Sequence, residues 1–214
     1  MKENARATRC AVIVGPQGIG KTTLLSAMIK RTGGAAPQFD AAMEAKDFAT
    51  TTEPNFARAE YLGEPWALID CPGSIELFQF SADAMGAADV VVIVADPHVE
   101  RAAGVAPYLK FLDDHDIPHV IFVNRLDESE TRIRDLLQAM QGHSARPLVL
   151  RQAPLREGGK IVGAVDLVSE RAWKYKEGAP ADFDRIQKFF ETLTAAHPKA
   201  ANAWLNYGFC YVDR

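Results

Sequence analysis

One run constrains this chain more than any other: Gly15-Pro16-Gln17-Gly18-Ile19-Gly20-Lys21-Thr22. It fits the pattern GxxxxGK[ST], follows the apolar run 10–14, and opens a segment, 21–31, with Leu24, Leu25 and Met28 on one helical face. Glycines at such a strand-to-helix turn let backbone amides point inward on phosphate groups, and the helix N-terminus adds its positive dipole end. Lys21 is then placed for the β- and γ-phosphates, the Thr22 hydroxyl for Mg²⁺, and Thr23 completes the cradle. The competing reading is a glycine-rich turn that binds nothing, and the full motif in the required context outweighs it. A nucleoside triphosphate is expected, with the base left open.

The surrounding pattern matches the scaffold this loop needs. Near-continuous apolar runs at 10–14, 67–70, 90–95 and 119–123 read as buried strands, helical patterns at 76–85 and 105–115 lie between them, and another at 128–141 follows. That alternation predicts an α/β fold with a mostly parallel sheet covered by helices on both faces. Ligands of such sheets bind beyond the carboxyl ends of the strands. From residue 146 the texture changes. Segments 147–152, 161–166 and 172–176, with a turn at Glu157-Gly158-Gly159-Lys160, predict antiparallel strands. Residues 182–195 and 200–211 read as two amphipathic helices broken at His197-Pro198, and 35–55 as a mobile loop. The expected organisation is a P-loop domain at 9–145, a small insert at 146–178 and a helical segment at 179–214.

Composition removes several function classes. The 214 residues include 24 basic and 28 acidic side chains, a formal charge of −4, with a pI near 5.8. No basic nucleic-acid or membrane-surface patch is evident in such a balance. Cys10, Cys71 and Cys210 form neither a CxxC pair nor a metal-ligand spacing, which suits a reduced, cytoplasmic setting. The first nine residues do not read as a signal peptide, and the most apolar stretch, 90–95, is too short to span a membrane.

Two further motifs complete the nucleotide site. Asp70-Cys71-Pro72-Gly73 ends a strand, where a carboxylate can hold Mg²⁺ and the Gly73 N–H can approach the γ-phosphate. Asn124-Arg125-Leu126-Asp127 follows the strand 119–123. The Asp127 carboxylate can accept from guanine N1–H and its exocyclic amine, a pair adenine does not offer. Asn124 can brace the site, and the Arg125 stem can lie over the ring. Each short motif alone is ordinary turn chemistry, and their order behind the phosphate loop reverses those odds.

Together these motifs resemble those of translational GTPases, and the text between them is similar to the nucleotide-binding domain of elongation factor G and its divergent bacterial paralogues. The resemblance runs from about residue 9 to 178 and includes Glu60-Tyr-Leu-Gly-Glu-Pro-Trp66 and, in the insert, Gly163-Ala-Val-Asp-Leu167. It implies GTP and GDP as ligands with Mg²⁺, hydrolysis of GTP with Lys21 and Gly73 at the reacting phosphate, and a ribosome as partner. It also implies a switch-loop Thr in the magnesium shell. Thr51 fits that position, with Thr50 and Thr52 as close competitors.

Three departures from the family pattern bear on activity. Ser74 stands where the family carries a His that positions the attacking water, and a short neutral hydroxyl does not replace an imidazole. His98, His115, His119, His143 and His197 have no sequence claim on the site. Arg125 replaces the usual Lys, which keeps the charge and stem. Beyond the insert, the family's next strand with its Ser-Ala base contact, its closing helix and its further domains are not apparent. The last segment has a weak likeness to a tetratricopeptide pair, though a generic helix pair is preferred, and a truncated or fused product is expected. The leading reading is thus an elongation factor G-like GTPase domain of weak intrinsic activity. The alternative is a non-hydrolysing guanine-nucleotide module, and an ATP-using kinase is disfavoured by Asp127.

Overall fold

A computed structural model describes residues 7–32, 52–61, 63–168, 170–174 and 203–207. Among the described residues, seven strands form the main sheet. In chain order the described strands are β1 (Arg9–Val14), β2 (Asn55–Tyr61), β3 (Glu64–Asp70), β4 (Val90–Ala95), β5 (His119–Val123), β6 (Leu148–Leu150), β7 (Gln152–Glu157), β8 (Lys160–Asp166), β9 (Arg171–Lys174) and β10 (Ala203–Tyr207). The main sheet runs β2-β3-β1-β4-β5-β10-β6, and β7-β8-β9 make a second, antiparallel sheet. Among the described strands of the main sheet, only β2 runs antiparallel.

Period-two alternation divides the core between the faces of that sheet. Ala11 and Ile13 of β1 face Leu24, Leu25, Met28 and Ile29 of helix α1 (Lys21–Thr32). Val12 and Val14 face the other way, into a cluster with Met85, Leu109, Leu112, Leu136 and Met140. Those residues belong to α2 (Phe78–Gly86), α3 (Ala106–Asp114) and α4 (Ile133–Gln141). β4 is buried along its whole length because both of its faces are covered. The parallel α/β expectation therefore holds, and its helices flank both faces. Among the described residues, no helix is long and apolar enough to cross a membrane.

Two expectations are corrected. The stretch 200–211 does not form the second terminal helix throughout, because Ala203–Tyr207 is a strand, parallel to β5 on one side and β6 on the other. A short apolar run satisfies either period, and here unpaired backbone on two neighbouring strands decides it. A further main-sheet strand thus does follow the insert. Leu148–Leu150, read as part of an antiparallel unit, instead forms the main-sheet edge beside β10. The antiparallel sheet begins at Gln152, and Gly158 and Gly159 both adopt the positive φ that its tight hairpin turn requires. The helix expected at 182–195 and the mobile loop expected at 35–55, up to residue 51, lie outside the described residues.

Candidate functional site

All three motifs sit at carboxyl ends of parallel strands: the phosphate loop after β1, Asp70 at the end of β3, and Asn124 directly after β5. The phosphate loop turns into α1 at Lys21, whose helix carries no acidic residue in its first turn to compete with an anion. From α3, the Tyr108 hydroxyl donates to the Gly15 carbonyl at 3.1 Å and fixes the start of the loop from beneath.

Lys21 is almost fully buried and donates from Nζ to the Pro16 carbonyl at 2.9 Å, so its stem arches back across its own loop. Burial pushes its pKa down, and the nearby Asp70 and Cys71 oppose that shift. An anionic phosphate in the loop would restore the charge that burial penalises. Gly73 lies directly over this ammonium. A Cβ there would collide with Lys21 Nζ and stand 2.7 Å from the Gln17 backbone, so glycine is required for the two loops to meet.

Thr22 Oγ1 donates to Asp70 Oδ2 at 2.5 Å. The Asp70 carboxyl is completely buried, and its second oxygen, Oδ1, accepts no hydrogen bond among the described residues. Burial raises its pKa, opposed by the Thr22 hydroxyl, the Lys21 charge and the side chain of Asn55. A buried carboxylate beside a helix-start hydroxyl is the donor set a magnesium ion uses next to phosphate. The residues present therefore fit Mg²⁺. Cys71 packs its side chain into the second core, where burial and Asp70 push the thiol pKa up to about 12. It is an inert structural thiol, and its backbone N–H is taken by Ile13 O at 3.0 Å.

The loop 124–128 is tied to the glycine-rich loop. Asn124 is buried, donates from its backbone to Ala95 O at 3.0 Å, and from Nδ2 to Ile19 O at 2.7 Å. Gly20 has φ +92, and a Cβ there would come within 2.5 Å of that same Asn124 nitrogen. Arg125 adopts a left-handed backbone, and Asp127 stands exposed in the 3₁₀ turn Leu126–Glu128 that follows. From the second sheet, Arg156 Nη2 donates to Leu126 O at 3.2 Å and Ser129 O at 2.7 Å.

Of the expected residues, 15–23, 70–73, 124, 125 and 127 gather at this edge. Thr50 and Thr51 lie outside the described residues, while Thr52 is exposed. Ser74 heads the short turn Ile75–Leu77 and makes no side-chain capping bond. Among the described histidines, His98 pairs with Asp96 at 2.6 Å, His115 stacks on Phe111, and His119 starts β5 at the strand end opposite Asn124. Sequence reasoning missed Asn55, which the β2-β3 register sets opposite Asp70. Counting back symmetrically from the hairpin after Tyr61 could have found it. It also missed Tyr108 and Arg156, which act through side chains on distant elements and leave no local signal.

Comparison with known proteins agrees with this geometry. Residues 6–199 match the family model described as the elongation factor Tu GTP binding domain. An elongation factor G-like protein of Synechocystis is 37% identical over 183 residues, which is 81% of this chain and 27% of the relative. Another elongation factor G-like protein, of Thermotoga maritima, is 23% identical over 84% of this chain and 26% of its own length. A crystal structure from Thermus thermophilus superposes with a TM-score of 0.72 at 20% identity, covering 94% of this chain and 37% of that one, which shows a common fold. The chain thus spans about a quarter of the length of these two elongation factor G-like relatives. A P-loop cradle, a buried carboxylate beside its threonine and a base loop tethered to that cradle accord with the match over 6–199, and the chain belongs to the translational GTPases as a GTP-binding domain of the elongation factor Tu type.

Proposed function

We propose that this chain binds GTP and GDP with Mg²⁺ and hydrolyses GTP slowly, as the nucleotide-binding part of an elongation factor G-like protein. The observation that carries the proposal is the Asn124 Nδ2–Ile19 O bond, which joins the base-reading loop to the phosphate loop. Residues 15–23 surround the phosphates, with Lys21 neutralising the β and γ oxygens and the Gly73 N–H donating to the γ-phosphate. Thr22 and Asp70 would hold the metal, and Thr51 would join them as a ligand. A magnesium ion bound there would neutralise phosphate charge. Asp127 selects guanine, with Asn124 and the Arg125 stem supporting the ring. The nucleotide unit comprises 9–145, followed by the insert 146–178 and a terminal segment 179–214, in a cytoplasmic protein with the ribosome as partner.

A second reading, a guanine-nucleotide module that does not hydrolyse, is favoured by Ser74 at the place of the family's histidine. Titration with fluorescent GDP, competed by unlabelled GTP and ATP, tests the binding. Phosphate-release measurements on the same preparation separate the two readings. Equal displacement by ATP and GTP would rule out the guanine assignment.

A further inference from the structure

Arg156 belongs to the small antiparallel sheet, yet its guanidinium reaches the loop that carries Asp127. Its Nη2 bears two hydrogens and meets two carbonyls, Leu126 O at 3.2 Å and Ser129 O at 2.7 Å. These acceptors bracket Asp127, one residue before it and two after. Nη1 lies 3.4 Å from Gly159 O, so the hairpin turn steadies the other arm of the fork. The β7-β8 register shifts between Leu155 and Arg156. Such an irregularity re-aims the side chains beside it.

The loop it grips has reason to need an outside hold. Arg125 sits at φ 53, a conformation that residues with a Cβ adopt reluctantly. One 3₁₀ turn follows, and within the loop the Glu128 N–H reaches Arg125 O at 2.9 Å. Leu126 is buried and fixes one end, and Ser129 is buried at the other, while Asp127 between them is exposed. A carboxylate must stand within hydrogen-bond reach of both guanine donors at once, so small changes in this backbone alter base selection directly.

On these grounds, and resting on the guanine reading above, we infer that Arg156 is a positioning residue for base recognition: it holds the backbone on both sides of Asp127 so that the carboxylate meets guanine. It does not touch the nucleotide. The insert sheet thereby becomes part of the specificity apparatus of the site, and a ligand that moved this sheet would loosen the hold on guanine.

The discriminating measurement is the ratio of GDP to IDP affinity. Inosine lacks the exocyclic amine that Asp127 accepts from, while both diphosphates present the same phosphates to the same loop. Arg156→Met keeps the apolar stem and removes every donor, whereas Arg156→Lys keeps an ammonium able to reach the carbonyls. The expected result is a fall of about tenfold in the GDP:IDP ratio for the Met variant. The Lys variant should retain most of the ratio. A role confined to anchoring the insert would lower thermal stability and both affinities together; an unchanged ratio in the Met variant overturns the inference. A protein that, before substitution, prefers neither GDP over IDP nor GDP over ADP would show instead that the guanine reading itself fails, and the inference with it. Because the ratio is taken on folded molecules, partial unfolding of a variant does not mask it.

Discussion

Thr22 Oγ1 and Asp70 Oδ2 stand 2.5 Å apart, and the other Asp70 oxygen is buried without a partner among the described residues. Thr22 stands in the first turn of α1, after the loop that leaves β1, and Asp70 is the last residue of β3, so the β1-β3 register helps to set their separation. Desolvation keeps the Asp70 pKa above its ordinary 3.8 despite the Thr22 bond. A carboxyl whose folded pKa is raised contributes stability that is fully present below the unfolded value and is lost as pH rises through the folded one. At neutral pH, therefore, the ionised Asp70 destabilises the nucleotide-free protein.

Asp70→Asn should then raise the melting temperature of the nucleotide-free protein at pH 7 by about 2–4 °C for each kcal/mol relieved. The same variant should lose the magnesium dependence of GTP binding. Thr22→Ala should weaken GTP binding chiefly when Mg²⁺ is present. Thermal melts with and without GTP and Mg²⁺ measure both effects. A lower melting temperature for the nucleotide-free Asn variant would show that the carboxylate is held by partners that outweigh its burial.

Lys21 presents the opposite charge in the same predicament. Its ammonium is buried against the Pro16 carbonyl, and burial lowers its pKa. The stability linked to that shift is present above the unfolded pKa and is lost as pH falls through the folded one, so the charged form is strained until phosphate arrives. Lys21→Met should leave the nucleotide-free fold intact and reduce GTP affinity on the order of a hundredfold. Titration with fluorescent GTP beside circular dichroism checks this. Unchanged affinity would mean the loop is a structural turn.

Base selection can be inverted rather than only weakened. Asp127→Asn replaces an acceptor by a group that can also donate, and xanthine offers an oxygen where guanine carries its amine. The variant should bind XDP more tightly than GDP by tenfold or more, roughly the value of a buried hydrogen bond made against one broken. Competition between the two diphosphates for a fluorescent nucleotide measures the ratio. A variant that still prefers GDP would place guanine recognition on other residues.

Legibility in the sequence follows the range of the interactions. The placement of the phosphate loop, Asp70 and Asn124 at strand ends is readable because it depends on immediate neighbours: a strand before, a turn or helix after. The acceptor of Asn124, Ile19 O, is 105 residues away and is not legible locally. Ala203–Tyr207 misleads because nothing within that short segment chooses helix over strand. The choice is made by β5 and β6, which leave a slot between them. Asn55, Tyr108 and Arg156 are invisible for the same reason. Each acts on a motif from an element whose placement only the assembled sheets determine.

Ser74 fixes the last expectation, that intrinsic hydrolysis is slow. Phosphoryl transfer to water needs the nucleophile in line with the leaving oxygen, and a side chain that orients it contributes roughly 10²- to 10⁴-fold. Ser74 begins the turn Ile75–Leu77 in extended backbone, and Leu77 N–H closes that turn on its carbonyl at 3.1 Å. Its hydroxyl is short and holds no proton that titrates near neutral pH. Ser74→His restores the imidazole but not a partner that would swing it over the γ-phosphate, so the gain should be less than about tenfold, far below the full effect of an oriented residue. Single-turnover phosphate release, at protein concentrations well above GTP, separates the cases. Fast cleavage by the unsubstituted chain would show that water is already oriented by another group. A gain of several hundredfold on placing His at this position would show that the loop was organised all along and lacked only that ring.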